Sequence, residues 1–236
     1  MPFHLLSDKS TFAYSNIESP NICYLHGWGR DSQDFKDIMK ISPGIAIDLP
    51  GFGKTKPLPF SQSPSDYAIQ LDKILPKEID TVVAHSFGGR VAVHLSLLRN
   101  IENLVLVGVP LIKSKKPSKS MNKLTLFKKL YKFGLISKSN LDSFKNKIGS
   151  VDYRNATGVM RENLVKAVND DLSPKLDLIK SNVFLIWGEN DTEVPVSVAS
   201  EANLLFNNSQ LTIIPNEGHN IIRSNPNSVS EVLKKL

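Results

Sequence analysis

Cysteine occurs once in the chain, at position 23, so no internal disulfide can form. Its setting, Ile22-Cys-Tyr-Leu25, points to a buried packing residue rather than a reactive thiol. No apolar run approaches the roughly 20 residues that cross a bilayer. The opening residues, Met1-Pro-Phe-His-Leu-Leu, lack a basic leader and a small-residue cleavage site, so no signal peptide is expected and a cytoplasmic location is the natural expectation. No histidine–cysteine–carboxylate cluster has metal-ligand spacing, and no glycine-rich loop of the nucleotide-binding types occurs, so neither metal nor cofactor is expected. Internal repeats and low-complexity tracts are also missing.

What is present is ordinary globular material: 236 residues, 41% hydrophobic and 22% charged, enough for one large domain or a domain with a small insertion. The charge is unevenly spread. From Leu111 to Lys147 there are eleven lysines, no arginine and one acid, Asp142; this stretch carries +10, leaving −4 for the rest of a chain of net +6.

Short β-rich runs alternate with helical stretches, which implies an α/β fold with a mostly parallel, doubly wound sheet. The expected strands are Asn21–Leu25, Gly44–Asp48, Asp80–Ala84, Asn103–Gly108, Asn182–Trp187 and Gln210–Ile214, with one or two antiparallel edge strands within Phe3–Tyr14. Most are continuous apolar runs, as strands covered on both faces should be. Helices are expected at about Asp31–Lys40, Pro64–Leu75, Phe87–Arg99, Pro195–Phe206 and Pro226–Lys235. The alternation breaks once. Some 70 residues separate Gly108 from Asn182 where a crossover needs about a dozen, so residues 111–181 read as a helical cap inserted into a core of 1–110 and 182–236.

Four motifs carry chemistry. In Thr81-Val-Val-Ala-His-Ser-Phe-Gly-Gly89 an apolar strand runs into a tight turn at Ser86 and then a helix, the pattern that lifts a serine hydroxyl above a sheet. Ala84 stands where glycine is commoner. Leu25-His-Gly-Trp-Gly29 follows the first core strand; its Trp28 N–H, with that of Phe87, is a candidate pair of donors to an oxyanion. Asp191, in Gly188-Glu-Asn-Asp191, and His219, in Gly218-His219, each follow a strand. A serine hydroxyl is a poor nucleophile at neutral pH, so a histidine must take its proton and a carboxylate must hold that histidine in the right tautomer. Ser86, Asp191 and His219 fill these roles, with Glu189 and Glu193 as substitute acids. His26 is expected to bond backbone, His85 and His94 to be packed or hydrogen-bonded, and His4 to be peripheral.

These motifs, together with Asp48-Leu-Pro-Gly-Phe-Gly53, resemble the landmarks of the α/β-hydrolase superfamily. The His26-Gly-Trp-Gly29 and Asp48–Gly53 segments are similar in particular to the carboxylesterases that demethylate pimeloyl-acyl-carrier protein. The resemblance implies a cofactor-free serine carboxylesterase acting on an acyl ester through an acyl-enzyme; thioester, amide or carbon–carbon cleavage on the same three residues stays open. Serine at 86 argues against dehalogenase and epoxide hydrolase chemistry, which the resemblance would associate with aspartate there.

The Lys-rich stretch has its own alternatives. Met121–Ile136 reads as an amphipathic helix, and its lysines suit a solvated face, an acidic carrier protein or an anionic membrane surface. Nucleic acid is not expected, since Phe127, Tyr131 and Phe133 read as a packing face. Tyr153–Leu172 is expected to add cap helix, with Arg154 or Arg161 as candidates for a substrate carboxylate. A non-catalytic binding protein using the basic cap is the rival from another class.

Overall fold

The apolar runs alternate their residues between two cores on opposite faces of one sheet. In a computed structural model that describes residues 3–113, 127–148 and 150–236, this is plainest in the central strands. Val82 and Ala84 of β5 (Thr81–His85), Leu104 and Leu106 of β6 (Asn103–Val107), and Leu185 and Trp187 of β7 (Asn182–Gly188) enter the first core. Val83, Val105, Val107 and Ile186 enter the second.

Among the described residues eight strands form the sheet, in the order β1-β2-β4-β3-β5-β6-β7-β8. β1 (Phe3–Leu5) and β2 (Phe12–Ser15) are the expected antiparallel edge. β2 also pairs antiparallel with β4 (Ile45–Ile47); every remaining pairing, from β4 with β3 (Ile22–Leu25) across to β7 with β8 (Ser209–Ile214), is parallel. The reversal of strand order between β3 and β5 opens the C-terminal edge of the sheet, where α/β folds place their ligands.

Helices cover both faces. α1 (Pro64–Ile74) begins with a capping box in which Ser63 and Asp66 satisfy each other's backbone N–H, and Pro64 takes the first turn, where no N–H is needed. α1 and α2 (Phe87–Ser96) pack together over the first core. The second core is closed from outside by Phe35, Ile38 and Met39 and by Val229 and Leu233 from near the C-terminus. The expected helix at Asp31–Lys40 is a correction: two 3₁₀ turns, Ser32–Phe35 and Ile38–Lys40, stand there. The backbone stays right-handed helical through Lys36 and Asp37, but its turns close on the third residue (Asp34 N–H to Asp31 O, Lys36 N–H to Gln33 O, Ile41 N–H to Ile38 O), and they present Phe35, Ile38 and Met39 to the second core.

Between β6 and β7 the described residues form no strand. Residues 127–132 are helical (α3), followed by α4 (Lys138–Ile148), α5 (Val151–Asn155) and α6 (Gly158–Asn169). Met121–Leu126 of the expected amphipathic helix, and Ser114–Lys119, lie outside the described residues. Phe127 stacks on Phe144 with centroids 3.8 Å apart, but Tyr131 and Phe133 are exposed, so the packing face expected of these three aromatics is corrected to Phe127 alone. The expected helix over Tyr153–Leu172 is broken at Ala156–Thr157, which are extended. Arg161 spans that break, its Nε donating to the Ala156 carbonyl at 2.8 Å and its guanidinium lying over the Tyr153 ring.

α6 is fastened to the sheet domain by polar side chains. Asn163, 2% exposed, accepts the Gln62 N–H at 2.6 Å and donates to the Tyr67 hydroxyl at 2.9 Å. At its far end His94 of α2 meets Asp170 at 3.0 Å, and the Arg90 guanidinium donates to the Asp170 carbonyl. The chain resumes the sheet with β7, then α7 (Val196–Leu205), β8, α8 (Ile221–Ser224) and α9 (Pro226–Leu233).

Candidate active site

Ser86 sits between β5 and α2 with φ 48° and ψ −112°, one of three described non-glycine residues at positive φ. A side chain in that region costs on the order of 1–3 kcal/mol and persists only where its surroundings insist on it. Here they do. The Ser86 N–H donates to the Val107 carbonyl of β6 at 3.0 Å, and Gly88 packs so tightly under the neighbouring loop that a Cβ would stand 2.4 Å from the Leu25 carbonyl oxygen. Ala84, in place of the commoner glycine, is fully buried, its methyl taken up by the first core.

Asp191 and His219 come from the loops after β7 and β8. The Asn190 N–H donates to Glu217 O at 2.8 Å and that of Glu189 to Ile214 O at 3.0 Å, so the two loops are joined through their backbones. Trp187, wholly buried, donates its indole N–H to Val194 O at 2.8 Å and anchors the far side of the Asp191 turn. Asp191 accepts the N–H groups of Glu193 and Val194 on Oδ1, at 2.9 and 2.8 Å. Its Oδ2 lies 2.8 Å from His219 Nδ1. A carboxylate can only accept, so Nδ1 carries the proton and Nε2 keeps its lone pair. The Asp191 side chain is completely buried and that of His219 is 7% exposed.

The serine and the histidine share one rim. Gly108, the residue after Val107, lies where a Cβ would be 3.1 Å from His219 Nδ1 and 3.4 Å from Asp191 Oδ2. His85, next to Ser86 in sequence, donates from Nε2 to the His219 carbonyl at 2.9 Å. All three expected chemistry-bearing residues are therefore gathered at the C-terminal ends of β5, β7 and β8. Of the substitute acids, Glu189 accepts the Asn216 N–H, and the largely exposed Glu193 reaches His219 Nε2 only at 3.7 Å.

The loop after β3 lies beside the elbow. Trp28 packs edge-on against Phe52 and Phe87, with centroids 4.9 and 5.2 Å apart. The N–H groups of Trp28 and Phe87 donate to no described residue, and Phe87 begins α2, where a helix leaves its first N–H groups free. His26 bonds backbone as expected: Nδ1–H to Gly27 O at 2.8 Å, with Nε2 accepting the Leu49 N–H at 3.1 Å. Burial pushes its pKa below the usual histidine value. Asp48 shapes the second loop by accepting the Ser32 and Lys54 N–H groups, and Gly51 and Gly53 take φ of 90° and 55°.

Sequence reasoning missed the contact between His85 and His219 and the Asn163 clamp, because each joins residues about a hundred or more positions apart. His94 is packed in α2 and His4 is exposed on β1. Arg161 donates to the Ala156 carbonyl at the α5–α6 break. Among the described residues no group of three or more His, Cys, Asp or Glu is arranged to hold a metal, and no helix is long and apolar enough to cross a membrane.

The comparisons with known proteins agree with this architecture. The pattern of the alpha/beta hydrolase family matches residues 24–232. The pimeloyl-[acyl-carrier protein] methyl ester esterase of Wigglesworthia glossinidia brevipalpis is 24% identical over 92% of this chain and 93% of its own length. A 2-hydroxy-6-oxononadienedioate/2-hydroxy-6-oxononatrienedioate hydrolase of Escherichia coli O81 (strain ED1a) is 24% identical over 82% of this chain and 76% of its own. The solved structure of a thermophilic esterase superposes with a TM-score of 0.72 at 21% identity, over 99% of this chain and 95% of that one. The likeness seen in the motifs is thus borne out, and the chain belongs to the alpha/beta hydrolase family.

Proposed function

We propose that the chain is a serine hydrolase that cleaves carboxylic esters through an acyl-enzyme, with Ser86 as nucleophile, His219 as general base and Asp191 as the carboxylate that orients it. The observation that carries this reading is the 2.8 Å contact between a wholly buried Asp191 and His219 Nδ1, on the rim where Ser86 is held at positive φ. His219 Nε2 takes the Ser86 proton as Oγ attacks the ester carbonyl. The Trp28 and Phe87 N–H groups receive the oxyanion; such a donor is typically worth about 10²–10³ in turnover. The imidazolium then protonates the leaving alcohol, and a water activated by the same nitrogen releases the acid. No step calls for a metal or cofactor.

Residues 111–181 act in this proposal as a cap on a core of 1–110 and 182–236; Asn163 and Met160 of α6 support that role by packing on the site's flanking segments. Fluorophosphonate labelling of the wild type and of Ser86→Ala tests the chemistry. Labelling that depends on Ser86, with hydrolysis of short p-nitrophenyl esters, is expected; its absence would favour a binding protein on the same fold.

The substrate we favour is an acyl chain esterified on an acidic carrier protein. Two relatives named pimeloyl-[acyl-carrier protein] methyl ester esterase and the +10 segment support it. Raising salt is expected to slow cleavage of a carrier-bound ester and leave a free ester unaffected. Equal sensitivity would remove the carrier reading, and salt-reversible binding to anionic vesicles would redirect the segment to a membrane surface. A panel holding a vinylogous 1,5-diketone beside esters separates ester from carbon–carbon cleavage, which the second relative's name brings in. A cytoplasmic setting is part of the proposal and is checked by cell fractionation.

A further inference from the structure

His85 takes no part in the steps above, yet it touches both loops that perform them. It is 2% exposed. Its Nε2 lies 2.9 Å from the His219 carbonyl, and the two rings stand 4.8 Å apart at 47°. A carbonyl only accepts, so Nε2 holds the proton and Nδ1 is left with a bare lone pair. That Nδ1 is buried and has no hydrogen-bond partner. It lies against Gly27, in the loop that carries Trp28: a Cβ at Gly27 would be 2.8 Å from Nδ1 and 3.3 Å from Cε1 of the same ring. An unpaired buried nitrogen is a net cost to folding and calls for a reason. A purely packed side chain here would avoid that cost; the donor on the opposite edge of the ring is what a phenylalanine could not supply.

We propose that His85 is a positioning residue, an uncharged imidazole wedged between the loop of the oxyanion donors and the loop of the general base, whose one N–H fixes the base through its carbonyl. The inference rests on the reading of His219 as general base. A charged ring at 85 would oppose the imidazolium that His219 becomes during turnover. Burial, and the nearby His219, push the His85 pKa down to about 4; Asp34 and Arg30 are the other charged groups that act on it, in opposite directions. Through this one ring, a displacement of the oxyanion loop is transmitted to the base.

The test uses the purified full chain and a p-nitrophenyl ester. His85→Phe fills the space without a donor, whereas His85→Gln puts an amide N–H close to the Nε2 position. His85→Phe is expected to lower kcat about 10- to 100-fold, the scale of small misplacements at a reacting centre, with KM within about twofold. His85→Gln is expected to recover most of the loss, with fluorophosphonate labelling of Ser86 following kcat in both variants. Equal losses in the two variants, or kcat unchanged in both, would overturn the proposal. Should His85→Phe fail to fold, Gly27→Ala carries the test, because the new methyl displaces the ring without removing it. The kcat loss it causes is expected to shrink when His85→Ala is added, and fully additive losses would overturn the wedge. A wild-type chain with no Ser86-dependent labelling is a different result: it removes the hydrolase mechanism itself.

Discussion

Asp191→Asn probes the mechanism most directly because the structure separates what the substitution keeps from what it removes. Oδ1 of Asp191 accepts two backbone N–H groups, from Glu193 and Val194, and an asparagine carbonyl oxygen can accept both. The turn and the Trp187 anchor beside it should therefore survive. Oδ2, however, is replaced by an NH2 group facing His219 Nδ1 across 2.8 Å. Two N–H groups cannot share that distance, so the ring takes the other tautomer: Nδ1 accepts from asparagine and Nε2 acquires the proton. Nε2 then has no lone pair for the Ser86 proton. A wrong tautomer of this kind costs about 10⁴ in kcat, which is about 5 kcal/mol of barrier. Initial rates under saturating p-nitrophenyl ester near neutral pH measure it, with circular dichroism confirming the fold. A folded variant that loses less than about tenfold would refute the assignment, since general-base catalysis alone is worth at least about 10². Glu193→Gln is the control: its carboxylate is 65% exposed and 3.7 Å from Nε2, and exposed pairs are worth at most about 1 kcal/mol, so kcat should stay within about fivefold.

Ser86→Gly should abolish activity while raising stability by about 1 kcal/mol in urea unfolding, because glycine takes φ 48° without strain; a less stable variant would contradict the strained elbow. Asn163→Ala should destabilise by about 1–3 kcal/mol by leaving the buried Gln62 N–H without an acceptor, and a neutral result would show that water replaces it. Stability should fall as pH falls. His85 is held at about 4 when folded against 6.5 when unfolded, so the unfolded chain binds the extra proton; the contribution, up to about 3 kcal/mol, is present above pH 6.5 and is lost progressively down to about 4. His26, also lowered by burial, acts in the same direction. Urea midpoints across that range check it, and His85→Gln should flatten the slope.

Much of this candidate site was legible because each expected residue lies in the loop that follows a strand whose pattern announces it. Thr81–His85, Asn182–Gly188 and Ser209–Ile214 are buried or paired where their patterns placed them, and Ser86, Asp191 and His219 follow. The helix expected at Asp31–Lys40 is instead two 3₁₀ turns, a tightening of right-handed backbone that the apolar pattern does not distinguish from an α-helix. The break at Ala156–Thr157 carried no proline as a warning, and Arg161 bridges it.

Local sequence decided the parallel sheet, the elbow and the order of the chemical residues, because strand period, turn sterics and helix starts act over a few residues. The sequence already favoured Asp191 over Glu189 and Glu193, but tertiary structure alone decided which nitrogen of His219 faces it and that His85 lies between two loops. Those outcomes depend on hydrogen bonds and van der Waals contacts between loops distant along the chain, whose geometry exists only once the sheet has brought its strand ends together.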